Sequence, residues 1–121
     1  MDERAFVEAL FAALPEAFED REHYFDEDGA LAYAALGDAR MWLEDNAIRV
    51  RLVPRWRASV RPGREDLVRR FWDFVEQQAA ASAGEADLET LLSLECFEGV
   101  AWVDDLDEYL GPSTRALRRS A

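Results

Sequence analysis

The stretch "EDLVRRFWDFVEQQAAA", residues 65–81, carries the clearest pattern in this sequence. Its apolar residues recur at helical spacing, and its two leading carboxylates, Glu65 and Asp66, stand where negative charge stabilises a helix N-terminus. The pattern predicts an amphipathic α-helix that ends near Ala81. Its predicted buried face consists of Leu67, Val68, Phe71, Trp72, Phe74 and Val75.

Three helices are predicted before this one. The first carries Phe6, Val7, Leu10, Phe11 and Leu14 on one face and stops at Pro15. Because proline is favoured in the first turn of a helix, residues 15–24 predict a second, short helix that turns Phe18 toward the core. A third helix is expected over residues 30–45, although Gly37 interrupts it. Its candidates for burial are Leu31, Ala34, Ala35, Met41 and Trp42.

Two helices are predicted after residue 81. Ser82 and Glu85 have the spacing of a capping box, which predicts a helix start. The helix that follows has apolar residues on nearly every side, which is typical of a central helix: Leu88, Leu91, Leu92, Leu94, Phe97 and Val100. A last acidic helix is predicted from the apolar stripe of Trp102, Val103, Leu106, Tyr109 and Leu110.

The chain after this helix has the pattern of a stop. Gly111 suits a left-handed C-cap, and Pro112 prevents the helix from continuing. Residues 113–119 are expected to form a short basic turn, whose Arg115, Arg118 and Arg119 lie against the acidic helices.

The middle of the chain has a different period. Ile48, Val50 and Leu52 alternate with Arg49 and Arg51, as in a strand, and Pro54 and Pro62 bracket the segment "RWRASVR". Residues 48–63 therefore form either an irregular loop or a short hairpin, and the lack of a second convincing strand favours the loop. The predicted fold is all-α, an orthogonal bundle of five or six helices in a single domain over residues 1–121, with this Arg-rich central loop.

Composition excludes several classes of protein. With 50% hydrophobic residues, 121 residues are enough to bury one core. The apolar runs are too short to span a bilayer and the first residues do not have the pattern of a secretory signal, so a soluble, cytoplasmic protein is expected. One cysteine, Cys96, cannot form an internal disulfide, and with one histidine, His23, it cannot complete a Cys/His metal site.

Charge is distributed unevenly along the chain. The net charge is −12, made up of −10 over residues 1–47, +6 over residues 48–71 and −8 over residues 72–121. A strongly negative protein is disfavoured as a ligand of nucleic acid or anionic membrane, so a basic protein is the expected partner. The candidate partner-binding residues are the acids Asp104, Asp105, Asp107 and Glu108 and the segment Arg55, Trp56 and Arg57.

Other reactive side chains have simpler interpretations. His23 lies within the acidic segment "EDREHYFDED", residues 19–28, which lacks the spacing of a calcium loop and is interpreted as a solvated face. Cys96 lies among apolar residues and is expected to be inert. Glu95 and Glu98 are interpreted as structural ion pairs with Arg40, Arg69, Arg70 or Arg115, since no second catalytic group is spaced to assist them. No catalytic residue, cofactor or metal is predicted.

The order of several short segments resembles a family of small helical bacterial domains of unknown function. These segments are "FVEALFAALPEAFED", "LGDARMWLE", "RRFWDFVEQ", "ECFEGV" and "DEYLGPSTRAL". The segment over residues 48–63 is longer and more basic than the connection usual in that family. Such proteins are similar in composition to immunity proteins that neutralise toxins, and the resemblance implies a fold but no activity that transfers by residue.

Two functions therefore remain open. The first is a non-enzymatic protein-binding domain, specifically an immunity or inhibitor protein that neutralises a bacterial toxin. The alternative is a regulatory or scaffold module that binds protein or nucleic acid through the Arg-rich residues 48–64, where Trp56 between two arginines would offer a stacking surface. An enzyme that uses Glu95 or Glu98 with a recruited metal is the least favoured hypothesis.

Overall fold

Five α-helices and three single turns of 3₁₀-helix dominate the computed structural model, which describes residues 3–18, 30–49, 55–97 and 103–120. The 3₁₀ turns are Pro15–Ala17, Arg57–Ser59 and Leu106–Glu108. The predicted all-α fold of five or six helices is confirmed. The α-helices are α1 (Glu3–Ala13), α2 (Ala30–Ala47), α3 (Glu65–Ala81), α4 (Ala86–Phe97) and α5 (Pro112–Ser120).

Helix α3 lies at the centre of the bundle and contacts each of the other four helices. All six residues predicted for its apolar face are buried. Aromatic rings surround Trp72 in the core. The Trp72 ring stacks on Phe97 at a centroid distance of 5.7 Å and packs edge-to-face against Phe71 at a centroid distance of 4.9 Å. The helix predicted with most support is therefore the one on which the core is built.

The first helix ends at Ala13, immediately before the Leu14-Pro15 pair, as predicted. Phe18 is buried and its ring lies 4.7 Å from that of Phe11, which confirms its predicted direction. Residues 19–29 lie outside the described residues, and with them lie the rest of the predicted second helix, His23 and the acidic segment.

Helix α2 continues through Gly37 and ends two residues later than predicted. The prediction that Met41 is buried is wrong, since 52% of this residue is exposed. On a helical wheel Met41 lies roughly opposite the buried stripe, because α2 packs through a different set of positions. Ala34 and Trp42 are half-buried, and the side chain of Leu31 is outside the described set. The buried stripe consists of Ala35, Leu36, Ala39, Leu43 and Ala47.

One antiparallel bridge, between Ile48 and Val60, closes the central segment. The N–H of Arg49 donates to the carbonyl of Ser59, and the N–H of Arg61 donates to the carbonyl of Ala47, both at 2.7 Å. Among the described residues of the segment there is one isolated bridge and one 3₁₀ turn, and the choice between loop and hairpin stays a prediction. Residues 50–54, which carry most of the predicted alternation, lie outside the described ranges.

The predicted capping box at the start of α4 is wrong. The hydroxyl of Ser82 donates backward to the carbonyl of Ala79 at 3.2 Å, so Ser82 completes the end of α3. The N–H of Gly84 instead donates to the carboxylate of Glu89 at 3.1 Å. Gly84 has a φ of 89°, and this left-handed conformation turns the chain between the two helices.

Helix α4 is not central, contrary to the prediction. Its buried residues are Leu88, Leu92, Cys96 and Phe97. Leu91 and Leu94 instead lie on the solvent side, with 36% and 54% exposed. Four leucines around a helix indicated burial on every side, but α2, α3 and α5 cover only part of the surface of α4.

The predicted acidic helix over residues 102–110 is also wrong, because the described part of this segment is a loop with one 3₁₀ turn. Backbone bonds there join residues three apart, such as Tyr109 N–H to the carbonyl of Leu106. Arginines of α5 donate to other main-chain carbonyls of this loop: Arg118 donates to the carbonyl of Val103, and Arg115 donates to that of Asp107 at 2.9 Å. These contacts from α5 replace the bonds that would continue an α-helix.

Candidate partner-binding surface

The two charged segments predicted to bind partners contact each other. The carboxylate of Asp105 accepts hydrogen bonds from the backbone N–H groups of Trp56 and Arg57, at 2.7 and 2.9 Å. These N–H groups open the 3₁₀ turn Arg57–Ser59, so Asp105 caps this turn from a distant part of the chain. Asp105 therefore has a structural contact inside the protein.

Glu108 extends this contact at the surface. Its carboxylate lies 3.3 Å from the guanidinium of Arg57, and both side chains are largely exposed. An exposed pair of this kind contributes little to stability because water and salt screen it. Asp104 is exposed as well. Asp104 and Glu108 are therefore the members of the acidic set that remain open to a partner.

Asp107 is committed to the last helix. Its carboxylate accepts from Arg118 at 2.9 Å, and its carbonyl accepts from Arg115. The side chain of Arg118 is mostly buried in this contact, while that of Asp107 is half exposed. Arg115 and Arg118 lie against Asp107 as predicted, whereas Arg119, which was predicted to pack with them, is exposed.

Trp56 is not a surface residue. Only 1% of it is exposed, and its ring lies 6.2 Å from that of Trp72 in the core. The prediction of an exposed Trp56 that stacks on a partner is therefore wrong. The Trp56 N–H donates to the Asp105 carboxylate, while the indole of Trp56 points into the core. The local sequence Arg-Trp-Arg could not predict which way the indole points.

Several arginines of the central segment are exposed. Within the described residues, Arg49, Arg55, Arg61 and Arg64 are exposed and none of the ion pairs involves them. The Ile48–Val60 bridge places Arg49 and Arg61 on neighbouring chain segments. A positive surface region therefore survives within a negative protein.

Glu95 lies against helix α2. A Cβ atom at position 37 would collide with Oε2 of Glu95, so Gly37 provides the space that brings α4 close to α2. Arg40 donates to the carbonyl of Glu95 at 3.0 Å and pairs with Glu44 at 2.9 Å. Arg40 therefore contacts Glu95 through its main-chain carbonyl, and the predicted ion pair of the Glu95 carboxylate stays a prediction. Glu98 lies outside the described residues.

Chemistry at Cys96 is disfavoured by its surroundings. The thiol is completely buried, and this burial raises its pKa far above the ordinary value. Among the residues that the structure describes, no group of three or more His, Cys, Asp or Glu side chains is placed to hold a metal ion. No helix in the same set is long and apolar enough to cross a membrane.

Glu76 is an important residue that sequence reasoning missed. Its carboxylate accepts from the N–H and the hydroxyl of Thr114 at 2.9 and 2.8 Å, and from the N–H of Ser113 at 3.4 Å. Burial raises the pKa of Glu76, but these hydrogen bonds together outweigh burial and hold the pKa below its ordinary value. The sequence did contain a clue to this contact: α5 has no acidic residue in its own first turn, so a carboxylate from another segment can cap its N-terminus.

Gly111 has a different role from the one predicted. It does not adopt a left-handed conformation, since within the described residues only Gly63 and Gly84 have positive φ. A Cβ at position 111 would lie 2.5 Å from Cδ of Glu76, so Gly111 makes room for that carboxylate. Pro112 then begins α5, as the first turn of a helix favours.

A second missed contact joins α1 to α3. Arg70 lies 2.6 Å from the carboxylate of Glu16 and 2.9 Å from that of Asp66, and it donates to the carbonyl of Ala13. The hydrogen bonds that Arg70 donates to the Glu16 carboxylate lower the pKa of Glu16 and raise the pKa of Arg70. Arg70 therefore fixes the end of α1.

Comparison with protein-family models, with curated proteins and with solved structures gives no match. The resemblance to small helical bacterial domains and the similarity in composition to toxin-immunity proteins stay predictions from the residues alone.

Proposed function

We propose that this chain is a non-enzymatic protein-binding domain that recognises a basic protein, and specifically a cytoplasmic immunity or inhibitor protein that neutralises a bacterial toxin. The observation that supports a basic partner is the pairing of the chain's own arginines. Each of six arginines lies between 2.6 and 3.3 Å from a carboxylate of the same chain: Arg4, Arg40, Arg57, Arg69, Arg70 and Arg118.

This pairing leaves the negative charge in excess. The chain has 26 acidic residues against 14 basic ones. Since several of the positive charges are already matched, the field that an approaching molecule meets is set mainly by unmatched carboxylates. A surface of this kind accelerates association with a positively charged protein and slows association with nucleic acid.

The test uses the protein encoded by the adjacent reading frame as the partner. We expect the two proteins to bind, and the association rate constant to fall at least about tenfold between low and high salt because screening removes electrostatic steering. Stopped-flow fluorescence measures this rate. A rate that does not change with salt contradicts the steering, and a neighbour that is neither basic nor toxic contradicts the immunity role.

A regulatory or scaffold module is the second candidate, and the exposed arginines favour it. Arg49, Arg55, Arg61 and Arg64 could bind phosphates or an acidic protein surface. A gel-shift assay at low salt with single-stranded and duplex DNA and RNA tests the nucleic-acid version. Binding that is lost in Arg61→Ser/Arg64→Ser but retained in Arg119→Ser, an exposed arginine of α5, would support this candidate; no shift would remove its nucleic-acid version.

A further inference from the structure

The exposed apolar side chains gather on one pair of helices. Among the described residues, the large hydrophobic side chains with substantial exposure are Met41 on α2 and Leu91 and Leu94 on α4. Single exposed apolar residues are ordinary on a protein surface and need no explanation. Here, however, all three exposed apolar side chains lie on two helices that pack directly against each other, which indicates a candidate binding surface.

Met41 and Leu91 both project to the solvent side of the contact between Gly37 and Glu95. Glu95 reaches the position where a residue other than glycine would carry its Cβ, so this point lies on the line where α2 and α4 meet. At 100° per residue, Met41 projects about 40° to one side of Gly37, away from the buried stripe of α2. Leu91 projects about 40° from Glu95, also away from the buried side of α4. Met41 and Leu91 each lie one turn from the contact.

Leu94 widens this surface on α4. It lies three residues after Leu91 and thus on the same face. We call Met41, Leu91 and Leu94 the α2/α4 patch. The patch runs along the junction of α2 and α4. A groove between two helices of this kind can accept the apolar side chains of a third helix.

Acidic residues flank the patch on both helices. On α2, Asp38 and Asp45 are exposed three residues before and four residues after Met41, and each also has a contact within the chain. On α4, Asp87 is exposed one turn before Leu91. Arg40 is the one basic residue in α2 and α4 together, and it pairs with Glu44. The patch is therefore apolar at its centre and negative at its edge.

We propose that the α2/α4 patch is the docking site for an amphipathic basic helix of the partner protein. Apolar side chains of that helix, spaced three and four residues apart, would cover Met41, Leu91 and Leu94, and its lysines or arginines would face the acidic rim. This proposal rests on the proposed function, which supplies a basic partner, and adds the surface and the kind of segment that binds it.

A second copy of this chain is a poorer occupant. Each copy has a net charge of −12, so two acidic rims would repel each other. The chain's own basic helix, α5, is already in use: Leu117 packs against the core, and Arg118 pairs with Asp107. Charge complementarity therefore selects a foreign basic helix.

Two synthetic peptides of about 18 residues test the proposal, because this length forms five helical turns. One places leucine on one face and lysine on the other, and the second has the same lysines with serine in place of leucine. Fluorescence anisotropy at low salt measures their dissociation constants. We expect the amphipathic peptide to bind at least about tenfold more tightly than the serine peptide, since apolar anchors supply most interface energy.

Variants locate the binding site. Met41→Ser/Leu94→Ser is expected to remove the tenfold preference while the protein stays folded, because each residue is about half exposed and lies outside the core. The control Ala12→Ser, at an exposed position of α1, is expected to retain the tenfold preference for the amphipathic peptide. Asp87→Asn should weaken binding of the amphipathic peptide more than Glu8→Gln does, since Glu8 is an exposed carboxylate on α1. Amide chemical shifts in NMR spectra are expected to change along α2 and α4.

The remaining outcomes separate this proposal from the proposed function. If both peptides bind equally, or if the shifts map to the groove between α1 and α3 lined by Ala9, Ala12 and Phe74, a basic partner survives and the α2/α4 patch is overturned. If neither peptide binds, the α2/α4 patch is overturned, and the proposed function is decided separately by binding of the neighbouring protein. Sedimentation that shows a dimer, lost in Met41→Ser/Leu94→Ser, would assign the patch to a second copy and overturn the docking helix.

Discussion

Asp105 holds Trp56 in place across 49 positions of the chain, because its carboxylate accepts the Trp56 N–H at 2.7 Å. The neighbouring N–H of Arg57 donates to the other carboxylate oxygen at 2.9 Å. The loop that follows α4 and the Arg-rich central segment are thus joined at one point, and the indole of Trp56 enters the core directly beneath it.

Replacement of Asp105 by alanine tests this contact. We expect Asp105→Ala to lower the free energy of unfolding by about 1–2 kcal/mol, because two backbone donors lose a charged acceptor. Urea denaturation followed by circular dichroism measures the change. Asp104→Ala is the matched control, since this adjacent residue is exposed, and an equal effect of the two substitutions would contradict the capping role.

Trp56 provides a second prediction. Trp56→Ala is expected to destabilise the fold by about 3–5 kcal/mol, as removal of a large buried side chain leaves a cavity. Arg55→Ala, at an exposed neighbouring position, should change stability by less than about 0.5 kcal/mol. Thermal unfolding compares the variants, and a soluble Trp56→Ala protein with an unchanged melting temperature would show that the indole is not part of the core.

Glu76 predicts a pH effect of defined sign. Its pKa in the folded protein lies below the ordinary value of 4.5, so the charged form is the one that stabilises the fold. That contribution is fully present above pH 4.5 and is lost as the pH falls through the lower, folded-state pKa. We expect Glu76→Gln to be less stable than wild type at pH 7 and the difference to shrink below pH 4.5.

Denaturant titrations at several pH values between 7 and 3 measure this difference. Asp73→Asn is the control, since this exposed carboxylate lies on the same helix. A Glu76→Gln difference that stays constant over the whole range, or that is matched by Asp73→Asn, would rule out stabilisation by the charged carboxylate.

Gly111 should act through the same carboxylate. A Cβ at position 111 would lie 2.5 to 2.6 Å from Cδ, Cγ and Oε1 of Glu76, so Gly111→Ala must displace the side chain that caps α5. We expect Gly111→Ala and Glu76→Ala each to cost about 1–2 kcal/mol, and the double variant to cost clearly less than their sum. Additive effects in a double-mutant cycle would mean that the two residues act independently.

Local patterns were sufficient for the elements with a single strong period. The apolar spacing over residues 65–81 and the carboxylates at its start predicted α3 and its buried face correctly, because helix periodicity is a property of the nearest neighbours in the chain. The proline after α1 similarly marked the end of that helix.

Residues whose role depends on a distant contact were not predictable in this way. Asp104 and Asp105 are identical side chains next to each other, yet only Asp105 meets the N–H groups of the central segment. Leu91 and Leu92 are likewise adjacent leucines, and only Leu92 is buried, because the position of α2 and α3 decides which side of α4 is covered.

The sequence by itself determined that this chain is helical, strongly acidic and able to bury one core, because these properties follow from residue types and their spacing. The tertiary structure decided the rest: that the Glu76 carboxylate caps α5 next to Gly111, that Trp56 points inward, and that Met41, Leu91 and Leu94 are each exposed to solvent. Each of these depends on which segments meet in space, and hydrogen bonds and burial between distant segments are set only when the helices pack.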